Sequence, residues 1–256
     1  MGERLPPLVR LRKLINEHFA PMGRTAIIGG LLRDLAHTGP RGFKSDVDIV
    51  LHADPLEVDR LASALGAVEN KFGGFRYSDP LWNVDFWALE RTWAHCAGHV
   101  SVKSLKDLTR CTFFTLDAVV YVLHSRELIA DHSYVRDMYA RQLEINLLPN
   151  PSPEGNLVRA VRRTLGWNMI AGPKLKRFFM ETLDQHTFRH VVEMENRLYG
   201  FSHAEAYQDR EELLEALLFR TTRKQHLHAQ GFQYWLRFPP TEVRQAGQAK
   251  SPRESS

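Results

Sequence analysis

Gly29-Gly30-Leu31-Leu32-Arg33-Asp34, followed after a loop by Ser45-Asp46-Val47-Asp48-Ile49-Val50, decides the fold. The apolar run Thr25-Ala26-Ile27-Ile28 before it suits a buried strand. Gly29 and Gly30 end that strand and let backbone amides approach a ligand with no Cβ in the way. The residues after them open a helix, whose N-terminus favours anions such as phosphate. Val47 to Leu51 reads as a second strand. Side chains alternate along a strand, so Asp46 and Asp48 project to one side while Val47, Ile49 and Leu51 enter the core. Two carboxylates about 4 Å apart repel by roughly 4 kcal/mol at an effective dielectric near 20. A hard dication with oxygen ligands, Mg²⁺ above all, offsets that repulsion. A phosphate cradle beside such a pair points to phosphoryl or nucleotidyl transfer.

These two motifs, in this order and spacing, resemble the head of the bacterial poly(A) polymerase and CCA-adding tRNA nucleotidyltransferase family, within the polymerase-β-like superfamily. Those heads read Gly-Gly-x-Val-Arg-Asp, a loop, then Asp-x-Asp; here Leu32 stands where valine is usual. The resemblance implies an α+β fold: a polymerase-β-like nucleotidyltransferase head with a mixed β-sheet and flanking helices, followed by a helical neck-like domain. It implies two Mg²⁺ ions on Asp46 and Asp48, phosphates along Gly29 and Gly30, positive charge from Arg33 and Arg110, and Asp34 holding Arg33.

A second segment, Leu105 to Ala118, extends the likeness. The family reads Asp-Leu-x-Arg-Arg-Asp-Phe-Thr-Ile-Asn-Ala there. Asp107, Leu108 and Arg110 match from one side; Phe114, Thr115, Leu116 and Ala118 match from the other, one residue out of register. Cys111 and Thr112 replace the family's Arg-Asp, and Asp117 replaces its asparagine. Asn156 to Trp167 resembles the neck entry Arg-x-Leu-Arg-Ala-x-Arg-Phe-Ala. Arg159 and Arg162 fall on one helix face, placed to reach a triphosphate or RNA backbone. No acid occurs from Arg159 to Arg177, while Arg163, Lys174, Lys176 and Arg177 add base; this is either an RNA-binding face or a solvated one. The family's Glu-Asp-x-x-Arg signature for reading ATP and CTP is not matched by Asp209-Arg210-Glu211-Glu212.

Composition bounds the rest. The 256 residues are 43% hydrophobic, enough for a real core. A net charge of +4 is compatible with nucleic acid and too weak to argue for it alone. The two cysteines, Cys96 and Cys111, form no disulfide framework, so a reducing cytoplasm is the expected setting. No apolar run approaches the ~20 residues of a membrane span, and the N-terminus lacks a signal-peptide pattern. The 12 histidines show no metal spacing along the chain.

Leu8 to Ala20 reads as an amphipathic helix. Arg41 and Lys44, in the loop before the acids, either meet phosphate or are solvated. Asp54-Pro55 caps a helix that Gly66 stops. Val68 to Tyr77 reads as a strand broken at Gly73-Gly74. Trp82 to Leu89 is a strand with Val84, Phe86 and Ala88 on one face and Asn83, Asp85 and Trp87 on the other. Asp85 is either a third catalytic carboxylate or an edge acid facing water. Val119 to Leu123 and Leu128 to Asp131 pair as strands; Tyr134 to Gln142 is a helix and Leu143 to Asn146 a short strand. A proline-rich joint follows at residues 148–153, and helices near 173–183, 187–198 and 203–220 come after it.

The expected organisation is a head at 1–150, a neck-like domain at 151–240 and a disordered tail at 241–256. The length leaves no room for the family's further body and tail domains. The expected activity is Mg²⁺-dependent transfer of a nucleoside monophosphate from ATP or CTP to a hydroxyl, with the 3′ end of a tRNA-like RNA as the acceptor. A small-molecule or protein hydroxyl stays open as acceptor, and so does a nucleotide- or RNA-binding module without turnover.

Overall fold

The computed structural model of the chain describes residues 6–39, 46–131 and 133–219. Arg41, Lys44 and the expected tail lie outside them. Helix α1 (Pro6–Leu14) runs on through a wider turn at Ile15–Phe19 and buries Leu11, Ile15 and Phe19. Strand β1 (Arg24–Ile28) leads through Gly29 into α2 (Gly30–Thr38), and β2 (Val47–His52) follows. Helix α3 (Pro55–Leu65) starts where the Asp54 carboxylate accepts from Leu56 N–H at 2.8 Å and stops at left-handed Gly66.

The short β3 (Val68–Glu69) and β4 (Phe75–Asp79) flank the Gly73-Gly74 break, and β5 (Trp82–Ala88) returns beside them. A short α4 (Trp93–Cys96) and turns at Leu105–Arg110 and Thr115–Asp117 lead to β6 (Val119–Val122) and β7 (Glu127–Ala130). Helix α5 (Ser133–Ala140) ends where Arg141 turns to φ 54°, before β8 (Gln142–Leu143). The second half holds α6 (Pro153–Leu165), β9 (Ile170–Ala171), α7 (Pro173–Gln185), α8 (Phe188–Tyr199) and α9 (Arg210–Phe219).

Seven strands form one mixed sheet in the order β3-β4-β5-β2-β1-β6-β7. β2 and β5 run parallel; the other neighbours are antiparallel. The register sets Asp48 opposite both Asp85 and Ile28, so the acids and the glycine turn meet at one end of the sheet. One face, with Ile27, Ile49, Val84 and Phe86, packs into the main core with α1, α2 and α3. The other, with Ala26, Val50 and Val120, is covered by Leu89, Val102, Leu105 and Leu108. Strand alternation puts Asp48 and Asp85 on this second face.

The mixed α+β architecture is the one expected. Two elements are shorter than the sequence implies. Of residues 143–146, Leu143 ends β8 and Ile145 makes a single bridge to Phe114, while the Glu144 carboxylate accepts from Lys174 and Leu175 N–H at the start of α7. The last helix begins at Arg210 rather than near His203; the stretch before it makes a single turn at Ala204–Ala206. The main core passes without a break from Phe114 and Leu116 to Leu157, Val161, Leu175 and Phe179. Among the described residues no helix is long and apolar enough to cross a membrane.

Candidate active site

Gly29 adopts φ 70°, a conformation that favours glycine. A Cβ built there would lie 3.5 Å from Asp48 Oδ2, so the bend lies directly against that carboxylate. Asp46 sits just before β2, and Asp85 lies beside Asp48 on β5. Their partners define the cluster. Asn83 Nδ2 donates to Asp46 Oδ1 at 3.2 Å. The Arg76 guanidinium donates through Nε to Asp85 Oδ1 at 2.7 Å, and through Nη2 to Asp85 Oδ2 at 2.5 Å and Asp46 Oδ2 at 3.1 Å. One arginine thus bridges two of the three acids.

Among the described residues, no side chain donates a hydrogen bond to Asp48. Burial first, then the charges of Asp85, Asp46 and Asp117, push its carboxyl up to about 8, with Arg33 pulling the other way. Among the described residues, three carboxylates stand against the one guanidinium that pairs with them, in a half-buried place. All the acid donors are oxygen, the set a hard dication such as Mg²⁺ prefers. The residues therefore fit the ion that the sequence implies.

Arg33 and Asp34 take a different place. Arg33 donates to Asp34 Oδ1 from Nε at 3.0 Å and from Nη2 at 2.7 Å, and from Nη1 to Asp117. Arg163 donates to Asp117 Oδ2 at 2.7 Å. The Arg33 guanidinium lies 5.0 Å from the Trp167 ring centre and that of Arg163 4.5 Å from Phe114, distances suited to cation–π contact. Burial alone would raise the Asp117 carboxyl; Arg163 and Arg33 outweigh it and hold it down at about 2. This joint ties α2 to α6.

Two expectations change accordingly. Arg163 is 7% exposed and spent on Asp117, so it is not part of an RNA-facing surface. Arg33, 6% exposed, turns inward to the joint rather than out toward a ligand. Arg162 donates to Glu195 Oε1 at 2.9 Å between the rings of Tyr199 and Phe201. Arg110 donates to Asp107 Oδ1 at 2.6 Å within its own turn and to the Ser101 carbonyl at 3.1 Å. Arg159, Lys174 and Arg177 are exposed and Lys176 half-buried; Arg159 lines a cleft of 310 Å³ between α6 and α8.

Sequence reading missed Arg76 and the hub role of Asp117. A two-residue turn pairing Asp79 with Trp82 puts Arg76 opposite Asp85, so the hairpin register held the first signal. Asp117 had only its departure from the family asparagine. Counted along the neck motif, Arg163 stands at the family's phenylalanine. The two departures touch each other.

The architecture matches solved structures. A CCA-adding enzyme with CTP superposes with a TM-score of 0.53 at 18% identity, over 78% of this chain and 49% of that one. A tRNA-processing enzyme in an apo form gives 0.52 at 19%, over 83% and 58%. The chain has the nucleotidyltransferase head fold. The Thermotoga maritima CCA-adding enzyme complexed with tRNA gives 0.52 at 20%, over 78% of this chain and 48% of that one. The chain thus spans about half the length of the CCA-adding enzymes it matches. No protein-family model and no curated protein matches its sequence.

Proposed function

We propose that this chain is a Mg²⁺-dependent nucleotidyltransferase that moves a nucleoside monophosphate from ATP or CTP to the 3′ hydroxyl of a tRNA-like RNA. The convergence of Asp46, Asp48 and Asp85 beside Gly29 carries this reading. The structural neighbours bound to CTP, ATP and tRNA support its substrate classes.

Asp46, Asp48 and Asp85 would hold two Mg²⁺ ions, which when bound lower the pKa of the attacking hydroxyl and stabilise the leaving pyrophosphate. The hydroxyl oxygen bonds to the α-phosphorus, the bond from that phosphorus to the bridging oxygen breaks, and pyrophosphate leaves with the electron pair. The hydroxyl proton passes to solvent. Gly29 and Gly30 leave space for the phosphates beside Asp48. Arg76 holds Asp46 and Asp85 at a fixed separation before the ions enter, and at 45% side-chain exposure it has room to swing aside.

Labelled ATP or CTP incubated with Mg²⁺ and a tRNA lacking its 3′ end tests the reading. Incorporation that disappears in Asp46→Ala with Asp48→Ala supports it; incorporation into no acceptor overturns it. The Arg76 bridge gives a second reading some support, a module that binds nucleotide without turnover because its acids are already partly neutralised. That reading predicts ATP or CTP binding by calorimetry with no pyrophosphate released.

A further inference from the structure

Far along the chain from the acid centre, the first turn of α6 meets the junction of α7 and α8. Glu154 lies in that first turn, His186 closes α7, and His190 sits in the first turn of α8. One ligand atom from each of the three lies within 4.8 Å of the others. The His190 Nε2 to Glu154 Oε1 separation is 3.5 Å. Two ligands on one tetrahedral ion, with bonds near 2.0–2.1 Å, stand about 3.3 Å apart, so this pair is already near bonding geometry. The two imidazole rings lie nearly parallel with centres 5.3 Å apart, one from the extended residue that ends α7 and the other from the first turn of α8. Thr187 Oγ1 accepts from His190 N–H at 3.2 Å and fixes the start of the helix that carries it.

We propose that Glu154, His186 and His190 form a site for a transition-metal dication of the Zn²⁺ class. Two imidazole nitrogens and one carboxylate oxygen make a borderline donor set, which suits Zn²⁺ or Co²⁺ and disfavours Mg²⁺. Three protein ligands leave a fourth position for water. Occupation would clip α6 to the α7–α8 junction, beside the cleft that Arg159 and Arg197 line. The acid centre and this cluster would then select different metals on one chain.

Co²⁺ titrated into the full-length protein in excess Mg²⁺ tests the site, with Zn²⁺ competition as the second reading. The expected result is a single Co²⁺ with the intense visible bands of tetrahedral coordination, displaced by Zn²⁺. His186→Ala and His190→Ala each weaken binding roughly 100-fold through loss of one of three ligands. Both side chains are partly exposed, and circular dichroism in EDTA checks that the variants keep the wild-type unfolding midpoint. Asp46→Ala with Asp48→Ala leaves Co²⁺ binding intact, which separates this proposal from the nucleotidyltransferase reading. Binding that survives in His186→Ala and His190→Ala overturns it, as does binding abolished by His226→Ala with His228→Ala.

Discussion

Two charged clusters sit close together in this protein, and they are built on opposite principles. At the joint, Arg33 and Arg163 meet Asp34 and Asp117, two cations against two anions, under a roof of Trp167 and Phe114. At the acid centre, Asp46, Asp48 and Asp85 face one arginine among the described residues. The joint is balanced and nearly closed to solvent; the centre is unbalanced and half-open. Buried charge that is fully paired is architecture, and its loss shows in stability. Charge left unpaired costs stability in the free protein and becomes useful only when a ligand cation completes it. That cost is visible in the Asp48 carboxyl, pushed up to about 8.

The sharpest way to break the contrast is to delete one acid from each cluster. Asp48→Ala should lower Mg²⁺-dependent incorporation by roughly 10³-fold or more, the scale of losing a preorganised charge at a reacting centre. It should leave the unfolding free energy in EDTA unchanged or raised. Asp117→Ala should do the reverse in kind, costing about 3–5 kcal/mol in urea unfolding, because the buried Arg163 guanidinium then loses its carboxylate and Arg33 loses one of its two. If Asp117→Ala proves harmless to stability, the joint is not the structural element described here.

A finer test uses the two departures from the family pattern. Asp117→Asn alone should destabilise, although asparagine is the family residue, because Arg163 loses its charge partner. Arg163→Phe added to it should recover part of the loss, giving a coupling of about 1–3 kcal/mol in a double-mutant cycle. Purely additive effects would show that the two positions do not act together.

Acid should expose the joint as well. The Asp117 carboxyl is held at about 2 in the fold, below its value in the unfolded chain near 4. Its contribution is therefore fully present above pH 4 and is lost as pH falls toward 2, about 2 kcal/mol in all. The stability gap between the wild-type protein and Asp117→Asn should narrow by that amount between pH 5 and pH 2. A gap that stays constant would mean that the pair carries no net electrostatic stabilisation.

The two clusters also differ in how far the sequence revealed them. Asp46 and Asp48 were legible because strand alternation is local, and Gly29 because its turn adjoins its strand. Asp85 was half legible: its face could be read, but its neighbour depends on β5 lying parallel to β2, a pairing across the intervening α3 and hairpin. The joint was not legible. The motif gives an arginine at position 33 but not its direction, and α2 turns it inward. Arg163 finds Asp117 across 46 residues only because α6 packs beside that turn. The Glu154, His186 and His190 cluster was hidden for the same reason, since its three members come from α6, the end of α7 and α8.

The smallest effect probes what Arg76 contributes. It donates to both Asp46 and Asp85 while 45% exposed, so each pairing is screened by water. If Arg76 is a stand-in cation that Mg²⁺ displaces, Arg76→Ala should tighten Mg²⁺ binding by roughly 2–5-fold, the release of an exposed ion pair worth under about 1 kcal/mol. If instead it is a fixed strut, Arg76→Ala lets the two acids drift apart and Mg²⁺ binding weakens. Calorimetric Mg²⁺ affinity separates the two, and Arg76→Lys refines the answer. Lysine keeps the charge but loses the fork that spans two carboxylates. A strut role fails in Arg76→Lys nearly as in Arg76→Ala, whereas a displaceable cation is mimicked by lysine almost fully.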